Sequence, residues 1–167
     1  MFVFTHLPKV SGRSPNNPQA TTMLKTSVIH PQILEALGRS GHFSQIVIAD
    51  GNFPSGAMQG PNATTVFLNF RPGMLNALEV LDGILDMVNI QGATVMQPPA
   101  GFSPEIHKLY RDKLGAGVEW AEMERWPFYD AICSPRTTLL IATGEQRRFA
   151  NLLLTVGVVK LPEESGF

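Results

Sequence analysis

Two titratable side chains flank a short apolar run in the first third of the chain. His42 precedes the run 45–49 (QIVIA), and Asp50 directly follows it. A histidine exchanges protons near neutral pH and a carboxylate accepts them, so the pair has the composition of an acid–base site. Each residue also has an ordinary structural explanation, because histidine suits the C-terminal end of a helix and Asp-Gly is common in turns. On these residues alone, both interpretations stay open.

An arginine and three aromatic residues lie together further along the chain, in the stretch 125–129 (RWPFY). Such a cluster supplies apolar ring faces and forked hydrogen-bond donors, a combination that suits a sugar pocket. Aromatic residues near the start of a helix also commonly pack in the core, so a binding role is one of two hypotheses. Asn151 by itself is typical of a turn, and Arg147 and Arg148 are expected to face solvent.

Several familiar site motifs are absent from the sequence. It has no GxGxxG or GxxxxGK[ST] loop for a nucleotide and no GxSxG nucleophile motif. Its four histidines do not show metal-ligand spacing, and its single cysteine has no partner. We therefore expect neither a cofactor nor a bound metal.

The composition indicates one compact domain. The chain has 167 residues, of which 44% are hydrophobic, and its net charge of −1 predicts no nucleic-acid partner and no anionic membrane surface. No apolar run approaches the ~18 residues of a transmembrane helix, and the N-terminus does not have the pattern of a signal peptide. A lone cysteine suits a reducing compartment. We therefore expect a soluble, cytoplasmic protein.

Domain boundaries follow from changes in composition. Residues 1–22 are rich in Pro, Asn, Ser and Thr, and predict a flexible tail or a start codon assigned upstream of Met23. Residues 23–160 predict the folded domain, and 161–167 a C-terminal tail. The sequence shows no internal repeat and no second-domain boundary.

Helices and strands are expected to alternate along the domain. Pro31 predicts the start of the first helix, Pro72 that of the second, and Ser103 the N-cap of the third. The predicted helices are 31–41, 71–88 and 103–117, with a turn and short helix in 125–134 and a helical or turn segment in 147–154. The predicted strands are 45–49, 64–70, 92–97, 118–123, 137–145 and 156–159.

This alternation predicts an α/β fold, a single three-layer α/β/α domain with a mostly parallel mixed sheet. Ligands of such sheets bind outside the carboxyl ends of the strands. The rule directs attention to three segments that follow predicted strands: 50–54, 125–129 and 144–151.

Four segments together resemble the fucose mutarotase and ribose pyranase family. They read LEALGRSGH, IVIADGNFP, ERWPFYDA and IATGEQRRFANLLLTVGVV, and the resemblance extends from Met23 to about Val159. It implies a ring-forming fold and an isomerase that interconverts anomers or ring forms of a free sugar without a cofactor. It also implies a homo-oligomer, a ring-based decamer or octamer, whose sites are shared between neighbouring subunits.

The resemblance assigns roles to individual residues. It makes His42 the proton donor. The residues that it places against the sugar are Asp50, Arg125, Phe149 and Asn151. The family has tyrosine where this chain has Phe149, which removes a hydroxyl that could bind sugar or relay a proton. Tyr129 is a candidate to replace that hydroxyl, and the arginine–aromatic segment favours a fucose-like sugar over ribose.

The spacing of His42 and Asp50 raises a geometric question. Fully extended, the chain between them would span about 26 Å at roughly 3.3 Å per residue, which is much longer than a monosaccharide. Either the residues before Gln45 fold back, or the two side chains that meet at one sugar come from different subunits. We expect the second arrangement. The alternatives to a mutarotase are a weakly catalytic or non-catalytic sugar-binding protein on the same scaffold and a structural ring.

Overall fold

A computed structural model describes residues 23–159 of the protein. The predicted tails, 1–22 and 161–167, lie outside these residues. Within the described range, no helix combines the length and the apolar composition needed to span a bilayer.

The sheet has six strands within the described range, and one of them runs against the rest. The strands are β1 Gln45–Ala49, β2 Thr64–Phe67, β3 Ile90–Met96, β4 Glu119–Met123, β5 Thr137–Ala142 and β6 Leu152–Val156. Their order across the sheet is β2-β5-β1-β6-β3-β4. The pairs β1/β5, β2/β5 and β3/β4 are parallel, and β6 is antiparallel to both β1 and β3. The predicted mostly parallel mixed sheet is confirmed.

Helices cover both faces of this sheet. They are α1 Pro31–Arg39, α2 Ala77–Leu85, α3 Glu105–Leu114 and α4 Arg125–Ile132. Along β1, Ile46 and Ile48 pack with side chains of α1, α2 and α3, whereas Val47 and Ala49 pack with α4. A strand buried on both faces is apolar at every position, which is why QIVIA reads as a continuous apolar run. The predicted three-layer α/β/α arrangement is confirmed.

The end of the chain differs from the sequence prediction. The last strand is Leu152–Val156 rather than 156–159, and the residues predicted as a helical or turn segment contribute its first part. Leu152, Leu153 and Leu154 are all buried in the centre of the sheet. A short leucine run fits a buried helix or a buried strand equally well, so its periodicity could not decide between them.

Two helix starts also differ from the prediction. Helix α2 begins at Ala77 rather than near Pro72, because the side chain of Asn76 accepts hydrogen bonds from the backbone N–H groups of Leu78 and Glu79. Glu79 in turn accepts from the Asn76 N–H, which completes a capping box. Helix α3 begins at Glu105 with Pro104 at the N-cap position, so Ser103 is not the cap.

A glycine after β5 holds the loop that leads into α2. The Gly144 N–H donates to the Leu75 carbonyl at 2.8 Å, and the Gly144 carbonyl accepts from the Gly73 N–H at 2.6 Å. A β-carbon at position 144 would overlap the backbone oxygens of Met74 and Arg71. Both obstacles are backbone atoms, so a side chain there would require the loop to move.

We expect Gly144→Ala to destabilise the fold by about 1–3 kcal/mol or more, the usual effect of overpacking. Urea unfolding measures the change. Gly38→Ala is the matched control, since a β-carbon at that helical position would meet no atom within 4 Å beyond the backbone of its own helix. The control should gain up to about 1 kcal/mol from helix propensity. Equal stability of Gly144→Ala and wild type would contradict the close approach.

Candidate functional site

The polar segments predicted to bind a ligand meet at one edge of the sheet. Asp50 follows β1, the segment 143–145 follows β5, and Arg125 follows β4. Because β6 runs in the opposite direction, its first residues lie at this same edge, and Asn151 immediately precedes it. The edge is therefore the carboxyl end of the parallel strands, where α/β sheets bind ligands.

Asp50 and Asn151 form a reciprocal hydrogen-bonded pair at this edge. The Asp50 N–H donates to Asn151 Oδ1 at 2.8 Å, and Asn151 Nδ2 donates to Asp50 Oδ2 at 3.0 Å. The other carboxylate oxygen, Oδ1, accepts from the Asn52 N–H at 2.9 Å. Asp50 and Asn151 are 5% and 3% exposed, so the pair is rigid and shielded from water. Asp50 also lines a cavity at this edge, so a ligand there would meet this residue.

The surroundings of Asp50 make its carboxylate a better base. Burial raises the pKa of Asp50, and the nearby negative charge of Glu145 acts in the same direction. Hydrogen bonds from the backbone of Asn52, Phe53 and Ala150 lower it and offset part of this rise. A buried carboxylate with a raised pKa is typical of groups that exchange protons with a substrate.

Two cavities open along this edge in the described part of the chain. The first, called the Asp50 cavity, has a volume of about 400 Å³, and its lining includes Asp50, Phe53 and Asn69. The second, called the Arg125 cavity, has a volume of about 310 Å³, and its lining includes Arg125 and Phe149. Both volumes lie at the small end of the ~300–1,000 Å³ range of ligand sites.

An aromatic ring and a guanidinium group lie next to the ring of Phe149. Its ring centroid lies 5.6 Å from that of Phe102, and the Arg148 guanidinium lies 5.4 Å and 5.6 Å from these two rings. Arg148 lines the Arg125 cavity together with Arg125. Arg148 is exposed, as expected, and its guanidinium also lies over the ring of Phe149.

Arg147 differs from its neighbour because it pairs with a buried carboxylate. Its guanidinium donates to Glu145 at 2.6 Å and 2.9 Å, and Glu145 is 4% exposed. Glu145 also accepts from the backbone N–H groups of Arg147 and Ala77, so one carboxylate joins the loop after β5 to the start of α2. Burial alone would raise the pKa of Glu145, but these hydrogen bonds outweigh it and lower the pKa to about 2.

Tyr129 reaches the site only through another ring. It lies on α4, and its ring centroid is 5.6 Å from that of Phe53 in an edge-on contact. Phe53 lines the Asp50 cavity. The structure thus positions Tyr129 as a support for a cavity wall.

His42 lies at the opposite edge of the sheet from Asp50. It occupies the turn before β1, whose five residues separate it from Asp50 by about 16 Å at roughly 3.3 Å per residue. Its Nε2 is 3.0 Å from Gln91 Oε1, and its ring stacks on that of Phe43 at a centroid distance of 3.9 Å. The residues before Gln45 do not fold back towards Asp50. Within one chain, His42 and Asp50 cannot contact the same monosaccharide.

Three buried polar residues near the site were not predicted as site residues. Glu145 lies in the predicted segment 144–151 but was given no role of its own, and His107 and Tyr110 were expected to be ordinary positions on a capped helix. In the fold, both α3 side chains donate to the backbone just before Asn151. These contacts join residues about 40 positions apart, and no local pattern signals them.

The described residues contain no group of three or more His, Cys, Asp or Glu side chains arranged to hold a metal ion. The fold is an α/β domain whose two cavities are lined by acidic, amide, guanidinium and aromatic groups, which are groups suited to a polyhydroxylated ligand.

Comparisons with known proteins agree with this class. The D-ribose pyranase of Streptomyces avermitilis is 31% identical over 136 residues, which cover 81% of this chain and 98% of that protein. The fucose mutarotase of Bos taurus is 30% identical over 149 residues, covering 80% of this chain and 91% of that protein. A crystal structure of the fucose mutarotase from Streptococcus pneumoniae in complex with L-fucose superposes with a TM-score of 0.65 at 30% identity, covering 79% of this chain and 95% of that chain.

Residues 23–159 match the RbsD / FucU transport protein family, and the chain belongs to that family. Relatives in it are named as mutarotases and pyranases, which interconvert ring forms of sugars. The family resemblance inferred from the four sequence segments is therefore confirmed. The relatives of this chain are mutarotases and pyranases, as that resemblance implied.

Glu145 gives a pH-dependent prediction. Because its folded-state pKa lies below the ordinary value of 4.5, its charge stabilises the fold above that pH. This stabilisation is lost as the pH falls from about 4.5 towards 2. We expect Glu145→Gln to lower the free energy of unfolding at pH 7 by roughly 2–3 kcal/mol and to weaken its fall below pH 4.5.

Urea unfolding at pH 7 and pH 3 measures both effects. The matched control is Glu119→Gln, which neutralises an exposed carboxylate on β4 and should leave both values within about 0.5 kcal/mol of wild type. If Glu145→Gln loses stability with falling pH as steeply as wild type, the assignment to Glu145 is wrong.

Proposed function

We propose that this protein is a sugar mutarotase that interconverts anomers or ring forms of L-fucose or a related aldose. The observation that supports this function most directly is the buried Asp50–Asn151 pair beside the Asp50 cavity. The pair offers a carboxylate that lines a cavity at the edge of the sheet where ligands bind. The relatives, a D-ribose pyranase and a fucose mutarotase among them, indicate the class of reaction, which is sugar ring interconversion.

The proposed chemistry is ring opening by general acid–base catalysis. The imidazolium of His42 donates a proton to the ring oxygen of the sugar, while the carboxylate of Asp50 accepts the proton of the anomeric hydroxyl. The bond between the anomeric carbon and the ring oxygen breaks, leaving an open-chain aldehyde. After rotation of the aldehyde, the ring closes and both protons return, so the two groups are regenerated. Positioned acid–base groups typically accelerate such steps by roughly 10²–10⁴-fold.

Several neighbouring groups are proposed to hold the sugar. Arg125 and Phe149 line the Arg125 cavity at the same edge as Asp50, and they offer forked donors and an apolar ring face to a sugar that extends from one cavity to the other. Asn151 has both side-chain groups engaged with Asp50, so its role in binding includes holding that carboxylate in place. Tyr129 supports the wall through Phe53.

We propose that each site is completed by a second copy of the chain. The sheet separates His42 from Asp50 by the full length of β1, and His42 is exposed at its own edge. A neighbouring subunit that brings its His42 to the Asp50 cavity would supply the acid. The ring of subunits inferred from the sequence resemblance, a decamer or octamer, provides such neighbours in closed symmetry.

The sugar is proposed to be fucose-like rather than ribose. The arginine–aromatic segment at 125–129 supports this choice, and the relative from Streptococcus pneumoniae binds L-fucose. Because some relatives are named D-ribose pyranases, D-ribose is the alternative substrate against which L-fucose is compared. A sugar-binding protein with weak catalysis is the second hypothesis, favoured by the missing hydroxyl at Phe149.

Saturation-transfer NMR between anomers tests the activity with L-fucose and D-ribose as substrates. We expect the wild type to speed L-fucose exchange above the uncatalysed rate, and His42→Ala to lose roughly 10²-fold or more because the proton donor is gone. His30→Ala is the control for removal of a histidine elsewhere. Binding of the sugar without faster exchange would refute the mutarotase and support the binding protein. Faster exchange of ribose alone would refute the fucose assignment.

Mixing two inactive variants tests the shared site. His42→Ala and Asp50→Ala should each be inactive alone. Refolded together in equal amounts, they should regain about a quarter of wild-type activity, because a random ring pairs an intact His42 with an intact Asp50 at about one site in four. No recovery in mixed oligomers, verified by native mass spectrometry, would contradict a site shared between subunits.

The aromatic residue at 149 gives a separate prediction. Phe149→Tyr restores a hydroxyl at the Arg125 cavity, and we expect it to raise kcat/KM for L-fucose by up to roughly tenfold, the effect of one added hydrogen bond. Phe70→Tyr adds a hydroxyl to a ring that is 84% exposed and should change nothing. A kcat/KM of Phe149→Tyr at or below that of wild type would show that the reaction does not use a hydroxyl at position 149.

A further inference from the structure

Helix α3 carries two buried polar side chains that the proposed reaction does not use. His107 is 6% exposed and Tyr110 is 0% exposed, although both types commonly keep a polar atom in water. They are spaced i, i+3, which places them on the same face of the helix. Both are directed at the segment that leads into β6.

Each side chain donates to a backbone carbonyl of that segment. His107 Nε2 is 2.8 Å from the Phe149 carbonyl oxygen, and Tyr110 Oη is 2.7 Å from the Ala150 carbonyl oxygen. A carbonyl can only accept, so Nε2 carries the proton of the imidazole. Burial raises the pKa of Tyr110 and lowers that of His107, so the phenol keeps its proton and the histidine is neutral at physiological pH.

The segment adopts a conformation that needs this support. Phe149 has φ of 63°, in the left-handed region that a bulky aromatic residue rarely occupies. Such a residue persists where its surroundings fix it. With the carbonyls of Phe149 and Ala150 both held by α3, the peptide planes on either side of Ala150 are set.

The next residue is Asn151, which binds Asp50 through both ends of its amide. The ring of Phe149, on the other side, lines the Arg125 cavity. Fixing two consecutive peptide planes therefore sets Phe149, which lines the Arg125 cavity, and Asn151, which binds the Asp50 side chain that lines the other cavity.

We propose that His107 and Tyr110 are positioning residues of the sugar site, which hold Phe149 and Asn151 in register with Asp50 by anchoring two successive carbonyls to α3. Neither side chain touches the sugar in this proposal. Its relevance to sugar binding rests on the proposed function, but the anchoring of Asn151 does not.

The test compares variants that remove a donor with one that retains it. Tyr110→Phe and His107→Leu each leave a carbonyl without its partner, whereas His107→Gln keeps an amide donor close to the position of Nε2. Thr26→Val is the matched control, because it removes a hydroxyl that donates to the Val28 carbonyl at 2.6 Å, near the start of the described chain.

The first readout is NMR of the ligand-free protein. We expect Tyr110→Phe and His107→Leu to shift the Asp50 backbone amide and the Asn151 side-chain amide, while His107→Gln and Thr26→Val leave them near their wild-type positions. If both resonances stay fixed when either donor is removed, or move as far in Thr26→Val, the proposal is overturned whether or not the protein is a mutarotase.

The second readout is binding of L-fucose by NMR titration, together with kcat/KM for anomer exchange. We expect both removals to weaken binding and kcat/KM by roughly three- to tenfold, the usual effect of a lost hydrogen bond, with His107→Gln restoring most of the loss. Equal loss in His107→Gln and His107→Leu would overturn the role of the donor. Absence of faster exchange in the wild type would instead refute the proposed function, and the ligand-free resonances would still decide the anchoring.

Discussion

The contact between Asp50 and Asn151 depends on the reversed direction of a single strand. Were β6 parallel to its neighbours, its first residues would lie at the far edge of the sheet, beside the amino end of β1. Because β6 is antiparallel to both β1 and β3, Asn151 at its start reaches the carboxylate at the end of β1. A buried carboxylate needs such partners, since an unpaired charge would be costly to desolvate. Other residues at this edge contact the pair directly, as the Asn52 N–H does with Asp50 Oδ1.

Buried polar groups at helices α2 and α3, which pack on the same face of the sheet, hold the segments next to the pair. Glu145 joins the loop after β5 to the start of α2 by accepting from the Ala77 N–H, and within that loop it pairs with Arg147. His107 and Tyr110 hold the backbone before Asn151 from α3. The residues that would meet a sugar are therefore held by buried polar groups at short distance, the arrangement expected where ligand geometry must be fixed before binding.

Much of the fold was accessible from the sequence because several elements are strongly patterned. The apolar run of β1 and the proline at the start of α1 defined those elements closely, and the rule for carboxyl ends of strands located Asp50 and Arg125 at one edge. Strand β6 was missed because the three leucines at 152–154 satisfy a helical and an extended pattern alike. Its reversed direction, and with it the bond between Asp50 and Asn151, depends on pairing across the whole sheet and leaves no local signal.

The contacts of Arg147 and Arg148 also had no local signal in the sequence. Arg147 and Arg148 form an ordinary basic doublet in the sequence, yet the first pairs with a buried carboxylate and the second covers two aromatic rings. The separation of His42 and Asp50, in contrast, was expected from chain geometry, because a central strand lies between them, although it is about 16 Å rather than the ~26 Å of a fully extended segment.

That separation is the central constraint on function, and a crystal structure of the oligomer with L-fucose bound tests it most directly. We expect one sugar at each Asp50–Asn151 pair, with Asp50 of one subunit at its anomeric hydroxyl and His42 of the partner subunit within hydrogen-bond reach of its ring oxygen. A bound sugar with every His42 of the assembly remote from it would contradict the account.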